Sequence, residues 1–222
     1  HGAGRDALGY VRSVLETEIN SVTDNPLIFP DDGEALSGGN FHGEPLALAM
    51  DFFGLAMAEF GSISERRQAR MVDASLSGLP PFLIEHSGLN SGFMIPQYVS
   101  ASLVSENKVL AHPSCVDSIP TSANQEDHVS MGGYSARKAA AILDNVRKVV
   151  AVELLTGAQA LEFSLKDLRP GKGTGAAHAC IRSEIPFLRR DEFLHPLIDR
   201  AIELTRGGAV LDATEAAVGT LD

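Results

Sequence analysis

Four consecutive residues, Gln125-Glu126-Asp127-His128, set an amide, two carboxylates and an imidazole side by side. Such a group can hold a polar substrate or move a proton. A second cluster, Gly38-Gly39-Asn40-Phe41-His42-Gly43, places an amide, an aromatic ring and an imidazole between glycines, where backbone can approach a ligand closely. The first cluster has a competing reading as a helix start: Ser122 or Asn124 as the cap, with the acids near the positive helix end. On composition alone capping is the more economical reading.

Other groupings carry less chemistry. Gly171-Lys172-Gly173-Thr174-Gly175 lacks the spacing of a phosphate loop and follows no strand, so it reads as a flexible helix–helix turn. His112 and Cys115 supply two soft ligand types where a zinc site needs three or four, and no metal is expected. Glu65-Arg66-Arg67 reads as a solvated helix face or an ion pair between subunits.

The elements that must position the two clusters are helices. Leu8, Val11, Leu15 and Ile19 recur three or four apart and predict a helix over 6–21. Asn25-Pro26 ends it, and residues 22–44 read as an ordered loop. Pro45 suits the first turn of the next helix, which runs from Leu46 to about Met71. Met50, Phe52, Phe53, Leu55, Met57 and Phe60 surround most of that helix, which predicts burial on several sides and a core larger than this chain supplies. Further helices are expected over 94–110, 130–165, 174–188 and 196–206. Residues 76–93 and 113–124 read as loops. The class is all-α: a bundle of long helices joined by long ordered loops, which often carry function.

Composition bounds the rest. The 222 residues are 44% hydrophobic and 21% charged, ordinary for a folded domain. Lys and Arg number 18 against 29 Asp and Glu, a net charge of −11. That disfavours nucleic acid and anionic membranes, which need clustered cations. Two cysteines, Cys115 and Cys180, are too few for a disulfide framework and read as reduced thiols, hence a cytoplasmic location. No run reaches the ~18 consecutive apolar residues of a membrane helix. His1-Gly2-Ala3-Gly4-Arg5-Asp6 is no signal peptide. It has no initiator Met, and the chain is expected to be cut from something longer.

The clusters belong to longer motifs. Thr23-Asp24-Asn25-Pro26-Leu27, Ser37-Gly38-Gly39-Asn40-Phe41-His42-Gly43-Glu44-Pro45, Ser64-Glu65-Arg66-Arg67, Leu79-Pro80-Pro81-Phe82-Leu83, Asn90-Ser91-Gly92-Phe93-Met94, Ser105-Glu106-Asn107-Lys108 and the run from Asp117 to Met131 follow one another across residues 1–165. In these stretches the chain resembles the aromatic amino-acid ammonia-lyase family, and within it the histidine ammonia-lyases. The resemblance divides the chain into residues 1–165, the C-terminal half of the lyase core with its active-site loops, and 166–222, a helical tail that matches loosely.

The resemblance implies a long-helix homotetramer whose active sites draw on three subunits. It implies conversion of L-histidine to trans-urocanate and ammonia. The family's electrophile is a methylidene-imidazolone (MIO) group formed from Ala-Ser-Gly, a tripeptide that this sequence does not contain. The family's catalytic tyrosine and its carboxylate-binding segment lie upstream of His1. By resemblance Phe41 lines the pocket near the electrophile. Glu126 binds the substrate imidazole and is the candidate base. Asn40 and Gln125 are supporting hydrogen-bonders. A carboxylate suits a ring that donates N–H. The expectation is one part of a histidine-deaminating enzyme, inactive without the missing N-terminal half. The alternatives are a tyrosine or phenylalanine ammonia-lyase or aminomutase, and a helical fragment that only self-associates.

Overall fold

The computed structural model describes residues 1–116, 119–164 and 168–221. Asp117 and Ser118 of the matched motif, and the expected boundary at 165/166, lie outside the described residues. Among the described residues there are eight helices: α1 (Gly2–Ile19), α2 (Glu44–Val72), α3 (Ala74–Ser77), α4 (Met94–Leu110), α5 (Gly132–Ser164), α6 (Lys172–Arg182), α7 (His195–Arg206) and α8 (Ala209–Val218). The all-α expectation holds. The chain divides into two compact units, one of residues 1–60 and 106–144, the other of residues 61–105 and 145–222.

In the first unit α1 turns Ala7 and Val11 inward, while Ile19, at the end of the expected stripe, is exposed. The expected loop after it holds a small hairpin: β1 (Leu27–Phe29) pairs antiparallel with β2 (Glu34–Leu36), in the register Leu27 with Leu36. Three residues per strand are too few to show alternation, so no strand was expected there. A 3-10 turn at Asn40–His42 follows and ends on Gly43 at φ 72°, a conformation that favours glycine.

From there α2 starts, and its Ala47, Ala49 and Met57 pack inward with Ala139 and Ile142 of α5 among the unit's buried residues. Gly54 is tolerated in α2 for packing: a Cβ there would stand 3.1 Å from the Ile142 side chain. Leu48, Phe52 and Leu55 are exposed. Their spacing of four and three puts them on one face, so α2 is apolar all round, as expected, but buried on only part of its surface.

The polar centre of this unit is Asp51, 5% exposed. It accepts the backbone N–H of Ser114 at 2.7 Å and of Cys115 at 2.9 Å, and the Ser135 hydroxyl at 3.0 Å. Lys138 Nζ lies 3.1 Å from its other oxygen and also donates to the His112 carbonyl. Burial by itself would raise the Asp51 carboxyl. The donors from Cys115, Lys138 and Ser114 outweigh burial and bring it down from 3.8 to about 2. Burial and the adjacent Asp51 carboxylate push the Cys115 thiol up to about 11, which suits a protonated thiol and not a metal ligand. By length and composition the Asn40–Val72 stretch contains an 18-residue window apolar enough to cross a membrane, with a mean hydropathy of 1.5. The satisfied buried carboxylate in its middle marks a core helix instead.

The second unit has its own core, in which Leu83, Ile84 and Phe93 from the 79–93 segment pack with Leu155, Ile181, Ile185 and Leu204. Gln159 ties this core to irregular backbone. Its amide donates to the carbonyls of Leu83 (3.0 Å) and Leu188 (2.7 Å), and its oxygen accepts Leu188 N–H at 3.1 Å. Three sequence expectations are corrected here. Glu65 is not on a solvated face: it is 3% exposed, chelated by Arg66 and hydrogen-bonded by Gln97 at 2.6 Å, while Arg67 forks onto Glu153. The Gly171-to-Gly175 stretch is not a flexible turn, because α6 begins at Lys172. A short α3 runs two residues into the loop expected from residue 76, capped by Asp73 accepting Ser75 N–H at 2.9 Å. The tail adds α8, which was not foreseen because Gly207-Gly208 reads as an ending.

Asp51 generates a pH prediction. Its folded value lies below its unfolded one, so its contribution is complete above about pH 4 and is lost as pH falls toward 2. The amount is on the order of 2 kcal/mol. Asp51→Asn should lower stability near neutral pH by about 3 kcal/mol, since it leaves Lys138 buried without its countercharge. Denaturant melts of both proteins from pH 7 downward should show the gap closing below about pH 4. Parallel stability curves down to about pH 2 would contradict this assignment.

Candidate functional site

Two segments converge in the first unit. The Asn40–His42 turn leads into α2, and residues 125–131 lead into α5. The starts of these helices touch: a Cβ on Gly132 would lie 3.3 Å from the Ala47 side chain and 3.5 Å from the Gly43 carbonyl. The lead-in to α5 is not helical. Ser122, Ala123 and Asn124 hold φ of 51°, 54° and 69°, and Thr121 and Glu126 exchange backbone hydrogen bonds at 3.0 and 3.3 Å. Consecutive left-handed residues other than glycine are costly, and such strain concentrates at functional sites.

This geometry overturns the capping reading. Helix α5 starts at Gly132, so Glu126 and Asp127 are not in its first turn. The Glu126 side chain instead meets His42, with Nε2 2.8 Å from Oε2. A carboxylate only accepts, so the His42 nitrogen is the donor. The His42 ring lies 4.5 Å from that of Phe41, and its backbone carbonyl accepts the buried Ser130 hydroxyl.

A cleft of about 380 Å³ opens between these segments, lined by all four candidate residues, Asn40, Phe41, Gln125 and Glu126. Asn25, Glu44, Asp127 and His128 complete much of its wall. Asn40 and Gln125 make no side-chain hydrogen bond among the described residues, so both amides are available to a ligand. Phe41 is 38% exposed and gives the polar cleft one apolar face. Two members escaped the sequence reading. His42 stood inside the noted cluster, but nothing in a linear sequence pairs it with a residue 84 positions away. Glu44 stood only within a matched motif; it opens α2, and its buried Oε2 lacks a hydrogen-bond partner among the described residues. Among those residues no group of three or more His, Cys, Asp or Glu could hold a metal ion.

Helical layout, glycine-flanked turn and carboxylate–imidazole cleft can now be set beside known proteins. Residues 1–183 match the family described as aromatic amino acid lyase, and the chain belongs to that family. The match continues past Lys166, where the motif resemblance becomes loose. The histidine ammonia-lyase of Caldanaerobacter subterraneus subsp. tengcongensis is 59% identical over 95% of this chain and 41% of its own length. The crystal structure of histidine ammonia-lyase from Trypanosoma cruzi is 46% identical, with a TM-score of 0.93 over 98% of this chain and 43% of that one. Tyrosine aminomutase from Streptomyces globisporus reaches the same TM-score at 36% identity, over 99% of this chain and 42% of that one. The chain thus spans under half the length of the curated relatives it matches.

The site makes a stability prediction. The His42 and Glu126 side chains are 24% and 34% exposed, and a pair so open to solvent contributes only ~0–1 kcal/mol. Glu126→Gln should therefore shift unfolding free energy by less than about 1 kcal/mol. Thermal melts check this, and a drop of several degrees would restore a structural role for Glu126.

Proposed function

We propose that this chain is the C-terminal part of an enzyme that deaminates L-histidine to trans-urocanate and ammonia. One observation carries the reading: the Glu126 carboxylate stands in a cleft beside Phe41 with one oxygen engaged by His42 and the other available. The relatives named histidine ammonia-lyase support it. In this reading Glu126 Oε1 accepts an N–H of the substrate ring, a charge-assisted contact. Phe41 covers one face of the cleft, and Asn40 and Gln125 offer amides to the substrate's polar atoms. Phenyl rings carry no N–H, so Glu126 favours histidine over phenylalanine. The alternative, a lyase or aminomutase for tyrosine or phenylalanine, rests on the likeness to tyrosine aminomutase.

The family's MIO group fits this cleft. Gly39, which lines the cleft together with Phe41, has open space where a Cβ would stand. Asn40 and Phe41 are the residues of this chain that would lie against it. The group supplies a strong electrophile, which makes loss of the weakly acidic β-proton and of the amine accessible. In the net reaction the Cβ–H and Cα–N bonds break, the Cα–Cβ double bond forms, and the proton passes to a base.

The assembly is read as a homotetramer in the cytoplasm. The exposed stripe of Leu48, Phe52 and Leu55 supports association. The two unpaired cysteines support a reducing compartment, and the net charge of −11 argues against nucleic acid and anionic membranes as partners.

The 222-residue chain alone should not form urocanate, because it contains no Ala-Ser-Gly. Near-ultraviolet absorbance during incubation with histidine checks this, and robust turnover would mean that the machinery has been misassigned. In the full-length enzyme, Glu126→Gln should lower histidine turnover at least about tenfold, the value of a charged hydrogen bond. A loss in kcat on the order of a hundredfold or more would make Glu126 the base as well. Unchanged kcat/KM for histidine, or a preference for tyrosine or phenylalanine, would defeat the histidine assignment.

A further inference from the structure

We infer that His42 is a positioning residue: it fixes the orientation of the Glu126 carboxylate and thereby the enzyme's hold on the imidazole ring, an inference that rests on the substrate reading of Glu126 above. Three observations carry it. First, His42 Nε2 engages Glu126 Oε2 at 2.8 Å, and Oε1 makes no hydrogen bond among the described residues. One oxygen is anchored and the other is presented.

Second, both partners have fixed backbones. Thr121 pins Glu126 on both its N–H and its carbonyl. The His42 carbonyl accepts Ser130 Oγ, whose side chain is buried and also receives Gly132 N–H at 3.3 Å. Gly43 then turns the chain into α2 at φ 72°. What stays free is the set of Glu126 side-chain torsions, and a carboxylate one-third exposed samples several of them unless something holds it. The hydrogen bond from His42 is that restraint.

Third, the contact is to one carboxylate oxygen only: a single ring N–H meets Oε2, whereas an arginine fork in its place would engage both oxygens. Oε1 remains for the substrate.

The test uses the full-length enzyme with His42→Ala, His42→Gln, Glu126→Gln and the double substitution His42→Ala/Glu126→Gln. His42→Ala should raise KM for histidine about tenfold with a smaller change in kcat, the pattern of lost binding. Gln carries an amide N–H at nearly the reach of Nε2, so His42→Gln should recover most of the loss. If His42 acts through Glu126, the double variant should be no worse than Glu126→Gln alone. Losses that multiply in the double variant would overturn the inference, as would a His42→Ala enzyme with unchanged kcat/KM. If His42→Ala does not fold, His42→Asn takes its place, because its amide is too short to reach Glu126. Equal activity of the Asn and Gln variants would then refute the positioning role. Wild-type kcat/KM in Glu126→Gln would remove the substrate reading itself, whereas impaired Glu126→Gln beside normal His42→Ala would remove only the role of His42.

Discussion

The first unit depends on one buried carboxylate. Asp51 lies inside α2, but its partners are the 114–115 backbone and the Ser135 and Lys138 side chains on α5. A carboxylate in that position is tolerable only when its lone pairs are filled, and here they are filled from two other stretches of chain. Satisfying Asp51 therefore sets the start of α5 against the start of α2. The two cleft-lining segments are the lead-ins to those helices, so a polar cluster deep in the unit positions side chains that stand in the cleft. The contact of Gly132 with Ala47 and the Gly43 carbonyl is the same alignment seen at the helix ends.

The cleft then arises from what the helices do not use. Residues 38–43 and 119–131 are largely irregular, and their hydrogen bonds run between segments: Gly38 N–H to the Asn25 side-chain oxygen, Thr121 with Glu126, Ser130 to the His42 carbonyl. Irregular backbone held this way is rigid without being helical, and it can aim side chains that a helix surface cannot. Positive φ at Ser122, Ala123 and Asn124 bends the chain so that Glu126 faces His42 rather than following the axis of α5.

How much of this could be read from the sequence follows from the range of each signal. The helices from Leu46 and over 94–110 were legible because apolar periodicity and Pro45 act within a turn or two. The hairpin at Leu27–Leu36 was not, since three-residue strands with exposed side chains leave no alternation. Glu65 was misplaced for a related reason: its partners Arg66 and Gln97 make it a buried, neutralised acid, and charge alone reads as surface. Asn40, Phe41, Gln125 and Glu126 were picked out by residue type and family resemblance, and the structure brings them to one cleft. Their mutual geometry could not be read at all. Capping looked the better account of Gln125–His128 because a local pattern cannot reveal a partner 84 residues away.

Exposure sets the last constraint on the chemistry. A charge-assisted hydrogen bond discriminates strongly only where water is excluded, because a solvated carboxylate satisfies itself equally well without the ligand. Glu126 is about one-third exposed, and Asn40 and Gln125 are open to solvent. The cleft formed by this chain supplies the right groups in the right directions but does not desolvate them. In the proposed reading, substrate selection by Glu126 would require cover over the cleft, and an exposed Phe41 ring together with an apolar face on α2 are the surfaces of this unit against which such cover would pack. In that reading orientation and dielectric would be separate contributions: His42 and the Asp51 cluster would provide the first from within the unit, and an assembled enzyme the second.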